Sequence, residues 1–162
     1  MTEQIEEREG SILIFVKTKI GADKVVKKLK AKSIKPNALH GGMRQNKRSK
    51  IMQNFRDEKF RILVATDIAS RGLDVPHIEH IINYDMPQAS EDFIHRIGRT
   101  ARAGSVGEAV SFLTPKDSRI WKSIERLLDK KGPKNNFKDV KNNKSSKFVK
   151  KKRNRTRKKV KR

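Results

Sequence analysis

With 162 residues, 34 % of them hydrophobic, the chain can bury one modest core, and its 41 Lys and Arg against 18 Asp and Glu give a net charge of +23. Such a field selects polyanions, and no apolar run approaches the roughly 20 residues that cross a bilayer. The absence of cysteine excludes a disulfide framework and thiolate metal sites, and the four histidines are dispersed, so no metal ligand set is expected.

Met1 to Gly10 is too acidic and polar for a signal peptide, so a cytoplasmic protein without a membrane partner is expected, and residues 1–10 read as a linker remnant. Ile12 to Val16 is a continuous apolar run, as in a strand covered on both faces, with Phe15 in the core. Thr18 follows it, placed either to cap the next helix or to touch a ligand. Ala22, Val25, Val26 and Leu29 then recur at helical spacing among lysines. Asn37 to Leu39 reads as a short strand closed by Gly41-Gly42, and Gln45 to Phe55 as a helix with Ile51, Met52 and Phe55 on its apolar side. Strands over Arg61 to Ala65 and His80 to Tyr84, a helix over Ser90 to Ile97 and a strand over Ala109 to Leu113 follow. Pro115 suits the entry to a last helix whose apolar positions are Ile120, Trp121, Ile124, Leu127 and Leu128, with Trp121 as packing. Strands alternating with helices predict an α/β fold: a parallel sheet with flanking crossover helices and ligands at the carboxyl ends of its strands.

The Gly132-Pro133 pair would stop the last helix, so the folded domain is expected over 11–131 and a separate segment over 132–162. Residues 130–162 hold 17 Lys and Arg and one acid, Asp139, a net +16 that leaves +7 for residues 1–129. So few apolar residues cannot offset the entropy of ordering, and 132–162 reads as a disordered basic tail.

Three stretches carry chemistry. Residues 95–104, His95-Arg96-Ile97-Gly98-Arg99-Thr100-Ala101-Arg102-Ala103-Gly104, space three guanidiniums three residues apart, where planar forks can meet several phosphate oxygens. Thr66-Asp67 leave a strand at its ligand-bearing end and open the run to Asp74, in which Gly72 allows a tight backbone path. Gly42 and the amides after it can hold a phosphate at a helix N-terminus, and Gln45 and Arg48, three apart, share one helical face. Read blandly, the same segment is a Gly-Gly turn before an ordinary basic helix.

These stretches, with Ile12 to Thr18, resemble motifs IV, V and VI and the intervening His-Gly-Gly segment of the DEAD-box RNA helicases, in the family's order, over roughly residues 11–130. The resemblance implies a RecA-like C-terminal helicase domain. It implies that Arg99 and Arg102 are arginine fingers for the γ-phosphate of ATP. It places Asp74 on the ATP ribose beside Gly72, and His95 and Arg96 at positions that couple nucleotide state to the other domain. It assigns RNA contacts to Thr18, Gly42, Gln45, Arg48, Thr66 and Arg71, with Arg71 also bridging to motif VI. Ala101 stands where the family's common form has glycine, a slight local departure.

The sequence contains no Gly-x-x-x-x-Gly-Lys-Ser/Thr loop and no Asp-Glu-Ala-Asp run. The resemblance therefore implies that an N-terminal RecA-like domain, in cis or in trans, holds Mg2+ with the ATP, and that this chain alone is inactive. Two functions from different classes are consistent with the sequence: the second motor domain of a helicase that unwinds short RNA duplexes, and a non-catalytic RNA-binding or annealing module.

Overall fold

Ile12-Leu13-Ile14-Phe15 offers no polar side chain to water, and all four residues are buried in β1 (Ile12–Phe15), the middle strand of a five-stranded sheet. The structure is a computed structural model and describes residues 1–131 except Asp74 and residues 102–106. Asp74, Arg102, Gly104 and the tail expected over 132–162 thus lie outside the described residues.

The remaining strands are β2 (Pro36–Leu39), β3 (Ile62–Ala65), β4 (His80–Asn83) and β5 (Glu108–Ser111). Their order is β2-β3-β1-β4-β5, and every pair is parallel. Central β1 and β3 are apolar throughout because helices cover both faces, whereas edge strand β5 opens on exposed Glu108. Side chains alternate between two layers. Leu13, Phe15, Leu63 and Ile81 pack with Ile51 and Phe55 of α3 (Gln45–Arg56), while Ile12, Ile14, Ile62, Val64 and Ile82 pack with Ala22, Val25 and Leu29 of α2 (Lys19–Lys30). A third cluster joins α5 (Ser90–Ile97) to α6 (Ser118–Lys131). There the Trp121 ring meets Phe93 edge-on at 6.0 Å, so Trp121 is a packing residue, as its helical spacing predicts. Tyr84 packs edge-on against Phe112 just past the ends of β4 and β5.

Two elements lack a periodic signature. One is the four-residue α4 (Asp67–Ser70), directly after β3. The other is α1 (Thr2–Glu6), in the stretch expected to be a linker. That stretch is instead packed on the domain: Ile5 is 1 % exposed against the α2 layer, and the Arg61 guanidinium donates to the carbonyls of Ile5, Arg8 and Gly10. Arg8 in turn donates through Nε and Nη2 to both oxygens of Glu108, each at 2.9 Å. A five-residue helix with one apolar residue is too short for periodicity to reveal. The place of this stretch is fixed by partners 51 to 100 residues away.

α6 is entered through a 3-10 turn at Pro115–Asp117, closed by a capping box in which the Thr114 N–H and hydroxyl donate to the Asp117 carboxylate at 2.8 and 2.5 Å. The hydroxyl and then the amide hold this carboxyl below the ordinary aspartate range.

Two outcomes are expected. Ile5→Ala should lower unfolding stability in urea by about 2–5 kcal/mol, the value for a buried isoleucine and not for a linker residue. Because the folded Asp117 carboxyl titrates below the unfolded one, its stabilisation is present above the unfolded pKa and lost as pH falls through the depressed folded value. The melting-temperature difference between the native protein and Asp117→Ala should therefore shrink between roughly pH 5 and pH 2.

Candidate functional site

Arg96 lies on the apolar side of α5, three residues from Phe93, and is 2 % exposed. A guanidinium cannot shed its proton, so burial demands acceptors around it. Nε and Nη2 donate to the two oxygens of Asp67, each at 2.7 Å. Nη1 donates to Asn83 Oδ1 at 3.0 Å and to the Asp85 carbonyl at 2.6 Å. The guanidinium carbon also lies 4.8 Å from the centroid of the Phe15 ring. Phe15 ends β1, Asp67 follows β3 and Asn83 ends β4, so one side chain ties α5 to three adjacent strand ends. With four of its five N–H groups engaged inside the domain, Arg96 is a positioning residue here.

An open cleft of about 340 Å3 adjoins this clamp at the carboxyl edge of the sheet, and it brings together Arg71, Gly72, His95, Arg96 and Arg99. Arg99 is half-buried and makes one hydrogen bond among the described residues, from Nη1 to the Leu73 carbonyl at 3.2 Å, so most of its donors face the cleft uncommitted. His95 is exposed, with Nδ1 4.0 Å from Asp92. Gly72 has φ +79° and open space where a Cβ would stand, so the backbone conformation and not crowding calls for glycine. Arg71 is exposed and makes no bond to α5 or the turn after it among the described residues, whereas Asp67 bonds Arg96 of α5. Thr100 is buried, and its hydroxyl donates to the carbonyls of Ile78 and Glu79 at 2.6 and 2.8 Å. The next residue, Ala101, has φ +55°, a left-handed conformation that alanine adopts at about 1 kcal/mol and glycine freely, which gives the departure at this position its physical content.

Gly42, Gln45 and Arg48 stand apart from that cleft, beside the end of β2. Arg48 Nη1 donates to Gln45 Oε1 at 3.3 Å, so their side chains form one patch, and Arg44 gives the first turn of α3 no side-chain cap. His40 is buried, with Nε2 3.2 Å from Asp23 Oδ1 on α2 and Nδ1 lacking any partner. A Cβ at Gly42 would meet that Nδ1 at 3.3 Å and the Lys19 side chain at 3.4 Å, so the Gly-Gly turn, His40 and the start of α2 are one unit. Thr18 caps α2, accepting from the Gly21 N–H at 3.0 Å. Thr66 precedes α4 and makes no side-chain cap bond, while its N–H donates to the Leu39 carbonyl at 3.2 Å and joins the ends of β3 and β2.

Asp67, Asn83 and Asp85 carry no motif-level signal as partners of Arg96. The one available clue is the arginine itself: placed on an apolar helix face, it must find a carboxylate, and Asp67 and Asp85 follow buried strands.

A parallel five-stranded sheet with flanking helices and an arginine-lined cleft at its carboxyl edge is the architecture of the RecA-like α/β domains in the solved structures the chain resembles. The helicase conserved C-terminal domain family matches residues 1–104, α1 included. The chain is 43 % identical over 124 residues to the ATP-dependent RNA helicase DBP8 of Vanderwaltozyma polyspora, covering 76 % of this chain and 29 % of that protein. It is 39 % identical over 133 residues to the ATP-dependent RNA helicase vasa of Drosophila melanogaster, covering 82 % and 20 %. Among solved structures, the C-terminal domain of the DEAD-box protein Dbp5 superposes with a TM-score of 0.73 at 32 % identity over 80 % of this chain and 76 % of that one. The E. coli DEAD-box protein SrmB, solved bound to the regulator of ribonuclease activity A, gives 0.72 at 31 % over 82 % and 84 %. The chain belongs to the DEAD-box helicase family, of which it is a C-terminal helicase domain. It spans less than a third of the length of the curated relatives it matches.

Removing Asp67 would strand a buried guanidinium. Asp67→Ala should destabilise the domain by about 3 kcal/mol in urea unfolding, near the low end for a broken buried pair because the Asp67 side chain is 34 % exposed.

Proposed function

We propose that this domain is the second motor half of an ATP-dependent RNA helicase, and that it hydrolyses ATP and remodels short RNA duplexes only when a first RecA-like domain faces its carboxyl edge. The observation that carries the reading is the cleft itself, where Arg99 keeps most of its donors free beside the open Gly72 turn while Arg96 holds the walls.

ATP fits such a wall. A guanidinium half sheltered from water can stabilise the charge that spreads over a transferring phosphoryl group, an effect of roughly 10³ to 10⁵ in rate. Arg99 takes that part, joined on family grounds by Arg102, with Asp74 accepting from the ribose hydroxyls and His95 at the mouth relaying nucleotide state. Magnesium, on family grounds, would be held by the first domain. RNA would lie over the neighbouring strand ends, on the Gly42 turn, Gln45 and Arg48, with Thr66, Arg71 and the Thr18 hydroxyl completing the track. Contacts to sugar and phosphate give binding with little sequence preference. The basic stretch 132–162 would tether RNA by charge alone.

RNA-stimulated ATPase activity, measured on the chain alone and after fusion to a DEAD-box first domain, tests this. The chain alone should show none and the fusion should turn over. In the fusion, Arg99→Ala should reduce kcat by roughly 10³-fold with RNA affinity nearly unchanged, and Arg48→Ala should weaken RNA binding first. Identical kinetic profiles for the two variants would refute the division of roles. A fusion that binds RNA without turnover would favour an annealing module.

A further inference from the structure

The positive charge of the folded half is concentrated. Residues 17–35 hold eight lysines and one acid, Asp23, whereas the other residues of 1–129 hold sixteen cations and sixteen anions, so this one stretch carries the whole surplus of +7. All eight lysines are exposed. Asp23 is engaged with His40, and none of Lys24, Lys27, Lys28, Lys30, Lys32 and Lys35 makes an ion pair among the described residues. Elsewhere in 1–129 cations and anions balance in number, and some are paired directly, as Arg8 is with Glu108, Lys59 with Asp57 and Arg96 with Asp67.

The arrangement works against the helix that bears it. Lys24 and Lys28 are four apart, and Lys24, Lys27 and Lys30 follow at intervals of three; each such like-charge neighbour destabilises a helix by about 0.2–0.5 kcal/mol. The helix dipole favours cations in the last turn, which accounts for Lys27, Lys28 and Lys30 but not for Lys24, nor for Lys32 and Lys35 beyond the helix. Packing requires none of them, since α2 faces the sheet with Ala22, Val25 and Leu29.

We infer that the outer face of α2 is a second RNA-contacting surface, which takes the phosphate backbone of the strand flanking the one held at Gly42, Gln45 and Arg48; it rests on the RNA reading of that edge. The two surfaces are continuous. Lys19 lies against the Gly42 turn, and Asp23 ties the next turn of α2 to His40 at the end of β2. A strand leaving the turn would meet Lys19, then Lys24, then Lys27 and Lys28 along a helix about 18 Å long. Lysine is a point charge on a flexible stem, suited to phosphates in any sequence and not to bidentate base reading. An acidic protein would answer the same charge, but this face lacks the aromatic anchors that protein interfaces use and offers only Ile20.

The test compares the full chain with a Lys24→Gln/Lys27→Gln/Lys28→Gln variant, which relieves like-charge repulsion and should fold. Two fluorescent RNAs, a short single strand and the same strand extended at both ends, are titrated at three salt concentrations. The variant should lose severalfold affinity for the extended RNA, with a log-affinity against log-salt slope smaller by about 0.7 for each phosphate contact removed, and bind the short RNA as before. Unchanged affinity for both RNAs, or an equal loss on both, overturns the inference. So does a polyglutamate peptide that binds the native chain as tightly as the extended RNA and not the variant. Arg48→Ala should weaken both RNAs. If it weakens neither while the triple variant still loses the extended one, the sheet-edge reading falls and the α2 surface stands.

Discussion

A buried guanidinium has no neutral form to retreat to, and the geometry of the whole carboxyl edge follows from satisfying that of Arg96. Asp67, Asn83 and Asp85 come from the ends of two strands that do not touch each other in the sheet, since β1 lies between β3 and β4. Phe15, at the end of β1, closes the gap under the same group. The desolvation of such an ion exceeds what any one of these contacts returns, and only the complete set makes burial tolerable. That makes the arrangement close to all-or-none, and Arg99, one helical turn further along the chain, inherits its position over the cleft from it.

This rigidity separates two tasks along one edge. The cleft beside α5 presents cationic donors on a fixed wall. The Gly42 turn, the Gln45–Arg48 pair and Thr66 form a second surface, linked to it through the bond from the Thr66 N–H to the Leu39 carbonyl and through the short α4 that carries Asp67. Thr66 and Asp67 are consecutive, so the residue whose N–H joins β3 to β2 and the residue that clamps Arg96 share one peptide unit.

Charge is organised on a longer scale. Outside residues 17–35 the folded half is internally neutral, and three of its arginines hold elements together: Arg61 on the carbonyls that fix α1, Arg8 on Glu108, Arg96 on the strand ends. The lysines of α2 hold nothing together. The cations that hold elements together here are arginines making several directed hydrogen bonds, which fits the planar fork, while the cluster on α2 is made of lysines, hydrated point charges.

Much of the fold was legible locally. The apolar run of β1, the 3.6-residue spacing of α2, α3 and α6, and Pro115 before the last helix mark elements whose observed bounds differ by only a residue or two at most ends, because hydrophobic period and capping chemistry act between residues a few positions apart. The clustering of lysines between residues 17 and 35 and the four family-like stretches are likewise properties of order along the chain. What only the tertiary structure decided are matters of distant pairing. Arg96 serves the fold because Asp67, 29 residues away, reaches it across a strand. Residues 1–8 belong to the domain because Arg61 and Glu108 receive them. Thr18 and Thr66 share a residue type and a place after a strand, yet one caps a helix and the other does not. Sequence specifies which groups must be satisfied; the partners that satisfy them are selected by the packing of the sheet, which brings into contact residues that no local pattern relates.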